Sequence, residues 1–197
     1  MLNVGATTNS NLNVDTQGDM PTACGSDYMI GVGRTDHNDN TAGGYGVTTI
    51  EFGAPGINVV TTAGTNGTTT TTGTSFSCPL TAGVIGLAYS IPCPSFMQIV
   101  KANPQQGADL VLQALLSGTD PKTALANKFV TGGRLNAKNT LDDLMTITCS
   151  GTYVWLHPVL RLQILREQVQ MSHGTHMILP RNMCFIIKRQ EQGLGII

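Results

Sequence analysis

Charge is scarce in this chain. Of 197 residues, 11 are Lys or Arg and 12 are Asp or Glu, for a formal net charge of −1. Nucleic-acid binding and attachment to an anionic membrane surface both need a basic excess, so neither is expected. Long apolar runs are missing as well, and none reaches the length of a membrane span. No basic n-region precedes an apolar stretch at the N-terminus, so no signal peptide is read. Met1-Leu2-Asn3-Val4-Gly5 looks instead like the middle of a strand, and a true N-terminus upstream of it is expected. Metal-type cysteine spacing is absent too. The five cysteines, Cys24, Cys78, Cys93, Cys149 and Cys184, include no C-x-x-C pair, and an odd number cannot all pair within the chain. Buried free thiols with at most one disulfide are expected.

Gly, Thr and Asn are abundant in their place. A disordered chain would carry more charge, so the composition suits a loop-rich, secreted-type globular protein. Through about Thr152, short apolar runs alternate with Gly, Asn, Asp and Thr clusters, a strand-and-loop pattern. Strands are expected over Leu2–Ala6, Tyr28–Gly33, Thr48–Phe52 and Ile57–Thr62. Thr61 to Thr74 reads as a solvated loop of low complexity. A helix from about Thr74 to Ser90 is apolar on nearly every face through Leu80, Ala82, Val84, Ile85, Leu87 and Ala88. Such a helix is expected to be buried on all sides. Pro79 falls in its first turn or so, where a missing N–H costs little. Further helices are expected over Ser95–Ala102, Ala108–Leu116 and Asn136–Met145. Strands followed by a buried helix and peripheral helices give an α/β layout with a mostly parallel sheet.

One segment carries chemistry: Gly73-Thr74-Ser75-Phe76-Ser77-Cys78-Pro79. Ser75 falls at a helix start, where N–H groups without intrahelical partners and the positive dipole end can stabilise a developing oxyanion. Gly73 lets a substrate approach closely. The motif, with the apolar helix behind it, resembles the nucleophile segment of subtilisin-like serine proteases. Other segments match in the family's order. Phe52-Gly53-Ala54-Pro55-Gly56-Ile57 resembles its Ala-Pro-Gly segment, and Tyr28 to Asp36 resembles the strand before it. Val4-Gly5-Ala6-Thr7-Thr8-Asn9 is similar to the strand that ends in the oxyanion-hole Asn. Thr7-Thr8 departs from the usual Ala-Ala-Gly there, and Asn11 is the alternative. Thr131 to Ala137 resembles the closing turn and helix. The match covers residues 1–145.

The resemblance implies the subtilisin-like three-layer fold with its N-terminal part missing, and a serine endopeptidase working through an acyl-enzyme. Ser75 would be the nucleophile and Asn9 the oxyanion-hole side chain, with Gly73 and Thr74 lining the substrate. The partner would be a peptide or protein and the location extracellular. No cofactor is required for catalysis and no metal site is read. Family members often bind structural calcium, but no acidic cluster places it, and the Asp36, Asn38, Asp39 loop reads as solvated. The alternative is a non-catalytic subtilisin-like binding domain, against which the intact Ser75 argues.

The mechanism also needs a His base and an Asp that orients it, in the chain order Asp, His, Ser. Their strands would lie before Met1, so the chain is expected to be truncated and inactive alone. His173-Gly174-Thr175-His176 resembles the family's histidine motif, but it lies in a tail of different style, and no Asp-x-Gly segment accompanies it. His173, His176 and Cys184 are a poor match to known zinc spacings, and no fourth ligand is evident. The expected division is residues 1–148 as the C-terminal part of the peptidase domain and 149–197 as an atypical tail. A shifted reading frame permits Cys-Val-Ala-Pro-Ser-Ser-Leu-Thr-Ala-Thr over Tyr153 to Gln163. It also permits a Trp-containing, Thr/Asn-rich string over Arg166 to Ile178. The tail thereby resembles a frameshifted fibronectin type III-like segment.

Overall fold

The computed structural model describes residues 1–149, 187–190 and 193–196. The chain divides into two compact units, Met1–Thr148 and Cys149–Ile197. In the second, β8 (Ile187–Gln190) pairs antiparallel with β9 (Gly193–Ile196). The readings placed on His173, His176 and Cys184, and on the shifted frame from Tyr153 to Ile178, lie outside the described residues.

The first unit is a mixed α/β structure. Its sheet has the order β1-β2-β3-β7-β6. The strands β1 (Asn3–Ala6), β2 (Met29–Thr35), β3 (Phe52–Pro55) and β7 (Gly133–Arg134) run parallel, and the edge strand β6 (Asp120–Pro121) runs antiparallel to β7. This is the mainly parallel sheet expected. The short helix α1 (Val14–Gln17) follows β1. A separate antiparallel hairpin, β4 (Val59–Ala63) with β5 (Gly67–Thr71), precedes the long helix α2 (Thr74–Tyr89). Helices α3 (Pro94–Ala102), α4 (Pro104–Ser117) and α5 (Ala137–Thr148) come later, each within a few residues of its expected start.

Period-two alternation sorts the sheet's two faces. Val32 pairs with Phe52 and Gly33 with Gly53. Ile30, Val32, Phe52 and Ala54 share one face and are all buried. On the opposite face, Gly33 and Gly53 lie beneath an aromatic ring. A Cβ on Gly33 would lie 2.4 Å from the Phe129 ring, and one on Gly53 would lie 2.8 Å from it. Phe129 closes a core cluster with Val14, Ile50 and Leu125. Helix α2 lies against β1, β2 and β3 and also touches α4 and α5.

Four expectations need correction. Thr48–Thr49 is not strand. The Asp15 carboxylate accepts from Val47 N at 2.8 Å and from Thr49 Oγ1 at 2.6 Å, which folds that segment into a turn, so β3 begins only at Phe52. The Thr-rich stretch is not a plain loop but the hairpin β4–β5, whose register sets Thr61 opposite Thr69 and Thr62 opposite Thr68. Threonine is β-branched and favours an extended chain, so the run pairs. Helix α2 is not buried on all sides. Thr74, Ser77, Thr81, Val84 and Ala88 form its buried face, whereas Leu80 is 45% and Leu87 is 51% exposed. Lastly, Cys24 is an exposed free thiol and Cys78 a half-buried one, while Cys93 and Cys149 are disulfide-bonded.

Candidate active site

The candidate residues gather where the parallel strands end. Beyond the carboxyl end of β1 come Thr7, Thr8 and Asn9, beyond β3 comes Gly56, and between the hairpin and α2 come Gly73, Thr74 and Ser75. In open parallel sheets ligands bind at this end. Three chain segments far apart in sequence are bonded here through short contacts.

The first joins β1 to α2. Asn9 Oδ1 accepts from Thr74 N at 3.0 Å, and the Thr74 hydroxyl, 3.3 Å from Asn9 Oδ1, donates to Thr7 O at 2.5 Å. Thr74 opens a helix whose N-cap, Gly73, has no side chain to bond a free N–H. Asn9 supplies that cap from 65 positions away. Asn11, the alternative, is exposed and makes no hydrogen bond to this segment among the described residues. The geometry therefore brings Asn9, not Asn11, to the Ser75 helix end.

The second contact explains Ala-Pro-Gly. Ser77 Oγ donates to Ala54 O at 2.9 Å, and Gly73 N donates to Gly56 O at 2.8 Å. A Cβ on Gly56 would stand 2.3 Å from Ser77 Oγ and 2.9 Å from Gly73 O. Only glycine lets this turn approach the serine segment so closely. At Gly73 itself the backbone is extended. A Cβ there would meet Phe76 at 3.6 Å and Asn9 Oδ1 at 3.7 Å, which is ordinary contact. The described residues alone thus do not require glycine at 73.

The third contact went unread in the sequence. Asp19 Oδ2 accepts from Thr7 Oγ1 at 2.9 Å, Thr8 N at 2.9 Å and Thr22 Oγ1 at 2.8 Å. This is the physical reason that Thr7-Thr8 can replace smaller residues, since their polar groups are tied to one carboxylate. Arg34 was missed too. Its Nη1 donates to Asn9 Oδ1 at 2.8 Å and its Nη2 to Asn9 O at 3.3 Å.

Ser75 is exposed in the first turn of α2. Burial pushes the neighbouring Cys78 thiol pKa up, and its Sγ donates to Val4 O at 3.3 Å, so this cysteine is a packing residue and not a nucleophile. His37 is the only histidine among the described residues, and its ring contacts Asn38 Nδ2 at 3.1 Å. No hydrogen bond joins it to Ser75 among those residues. The Asp36–Asp39 loop is not merely solvated. Asp36 Oδ1 accepts from Asn38 N and Asn40 N, and Asp39 pairs with Lys122 at 3.0 Å and Arg134 at 2.7 Å. Among the described residues no group of three His, Cys, Asp or Glu side chains could hold a metal ion, and no single helix is long and apolar enough to cross a membrane.

Comparison with known proteins agrees with this fold. Several solved structures share the fold. The A subunit of the AB5 toxin from E. coli superposes with a TM-score of 0.59 at 22% identity, over 73% of this chain and 50% of that one. A structure of subtilase cytotoxin SubAB assembly gives 0.58 at 21% identity, over 74% and 49%. The prenylagaramide maturation protease PagA gives 0.54 at 21% identity, over 73% and 50%. The chain thus spans about half the length of these structures. No curated protein matches it. The sequence model of the subtilase family matches residues 1–132, two thirds of the chain. The chain belongs to the subtilase family.

Proposed function

We propose that this chain carries the nucleophile and oxyanion side of a serine endopeptidase site. The observation that carries the reading is the bond from Thr74 N to Asn9 Oδ1, which ties Asn9 to the helix end that bears Ser75. In this chemistry Ser75 Oγ forms a bond to the scissile carbonyl carbon while a general base takes its proton. The carbonyl oxygen gains negative charge. The Ser75 N–H and Asn9 Nδ2 donate to it, and each such donor is worth about 10²–10³ in turnover. Collapse of the tetrahedral species expels the amine, which receives the proton, and water then releases the acyl group by the reverse sequence. Gly73 and Thr74 flank the substrate. No metal or cofactor takes part.

Neither a credible base nor its orienting Asp is read within these 197 residues, so the chain alone is read as turning over no peptide. In subtilisin, loss of the histidine alone lowers turnover about 10⁶-fold. Secretion fits the disulfide-bonded Cys93 and Cys149, because such bonds persist in oxidising compartments.

Two measurements test this. The first is hydrolysis of a fluorogenic peptide by the chain and by Ser75→Ala, with both expected at the buffer rate. Turnover that Ser75→Ala abolishes would refute the inactivity. The second is the sequence of the encoding DNA across both ends of the reading frame. Asp and His motifs upstream, with a frame break near residue 152, are expected. An unbroken frame in independent reads, with neither motif upstream, would refute the supply of base from there.

A further inference from the structure

We propose that Arg34 is a positioning residue for Asn9, fixing which way its side-chain amide faces. The inference rests on the reading of Asn9 as an oxyanion donor and deepens it.

A primary amide can present oxygen or nitrogen to a given direction, and only one orientation leaves Nδ2 for a substrate. Thr74 already favours one orientation, because its backbone N–H needs an acceptor. Arg34 adds a second, independent donor that enforces the same orientation. A guanidinium donates only, at every working pH, and Nη1 lies 2.8 Å from Asn9 Oδ1. A turned amide would set its NH2 against both Arg34 Nη1 and Thr74 N. The oxygen is thereby held inward, and among the described residues no hydrogen bond engages Nδ2.

The arginine is itself fixed. Nη2 donates to Asn9 O at 3.3 Å, and Nε donates to Ala42 O. Its stem passes between two glycines: a Cβ on Gly56 would meet Arg34 Cβ at 2.7 Å, and one on Gly43 would meet Nε at 3.4 Å. All three guanidinium nitrogens are thus directed at acceptors in the loops that follow β1 and β2. The bond to a cation also polarises the amide, so that its Nδ2–H groups become stronger donors. Lysine would keep the charge but not the planar fork.

The test uses the whole 197-residue chain labelled with ¹⁵N. The Asn9 side-chain NH2 signals are identified by their loss in Asn9→Ala. In the native chain the pair should lie away from the position of solvent-exposed asparagines. In Arg34→Ala it should move to that position, and Arg34→Lys should recover only part of the displacement. Backbone amides of the distant helix α5 should stay in place, which a general loss of structure would not allow. Arg34→Met keeps the unbranched stem without any donor and serves if Arg34→Ala unfolds. A native pair already at the exposed position, or a pair unmoved in the Arg34 variants, overturns the inference.

Titration with a peptidyl phenylalanine boronic acid separates this from the parent reading. A shift of the Asn9 pair on binding, weakened roughly tenfold in Arg34→Met, is expected, the size of one lost charge-assisted hydrogen bond. A Ser75 adduct, seen as a tetrahedral ¹¹B signal, that leaves the Asn9 pair unshifted would refute the oxyanion role of Asn9 and leave the Arg34 result standing. Equal affinity in native and Arg34→Met would refute the Arg34 role alone.

Discussion

Replacing Glu51 with Gln should stabilise the protein at neutral pH. Glu51 enters β3 tied to Gly31 in both directions. Its N–H donates to Gly31 O at 3.0 Å, and its Oε2 accepts from Gly31 N at 2.5 Å. Its carbonyl accepts from Thr131 N at 3.0 Å and Thr131 Oγ1 at 2.9 Å. Burial pushes the carboxyl pKa up from 4.5 to about 7, and the bonds from the Gly31 and Glu51 backbone N–H groups offset this only in part. Between these two values the native state keeps a proton that the unfolded chain has released. Stability therefore falls as pH rises through that window and levels off above it. The displacement corresponds to roughly 3 kcal/mol. Gln cannot titrate, and its Oε1 can still accept from Gly31 N. Glu51→Gln should match the native chain near pH 4 and exceed it by about 3 kcal/mol at pH 8. Urea unfolding followed by circular dichroism at several pH values measures the difference. Other titrating groups cancel in it, including Asp15, Asp36 and Asp120, whose pKa values are all lowered. A variant no more stable than the native chain at pH 8 would refute the reasoning.

Two more substitutions probe the scaffold beneath Ser75. Gly56→Ala must push apart Ser77 Oγ and Gly73 O, of which the second is backbone and cannot swing away. It should cost about 1–3 kcal/mol in the same unfolding assay, and a loss below about 0.5 kcal/mol would mean the turn has room. Asp19→Ala leaves Thr7 Oγ1 and Thr8 N without their acceptor, and Thr7 is only 2% exposed. It should cost about 1–3 kcal/mol, with Asp19→Asn recovering most of it because an amide oxygen still accepts. Equal losses in the two variants would show that charge, not the accepting geometry, matters there.

What could be read from the sequence was local. The segment from Gly73 to Pro79 marks a helix start with a serine in its first turn, although packing does not require glycine at 73 and Pro79 lies inside the helix. Helix α2 was placed almost to the residue for the same reason. The errors came from partners distant along the chain. The turn at Val47–Thr49 is made by Asp15, more than thirty positions earlier, and nothing near Thr48 announces it. Arg34 looks like a polar residue in a strand until the strand's end is seen beside Asn9. The hairpin could have been found, because a threonine run is β-branched whatever its complexity. The two-residue strands β6 and β7 could not, since pairing alone defines them. The exposed Leu80 and Leu87 mark the limit of periodicity, which says that a helix is apolar but not how many of its sides are covered.

The observed task of Asn9 and the proposed one fall on different atoms. Its oxygen completes the start of α2 and accepts from Arg34, a structural task that any acceptor of that reach could perform. Its nitrogen has no part in that task. An aspartate would cap the helix and satisfy the arginine equally well, indeed more strongly, since charge-assisted bonds exceed neutral ones. The choice of an amide over a carboxylate is therefore not explained by stability. The oxyanion role proposed for Asn9 would explain it, because that role needs a donor facing away from the scaffold at the end of the helix that carries Ser75. An acid there would place negative charge beside a developing oxyanion, the one arrangement that electrostatics forbids.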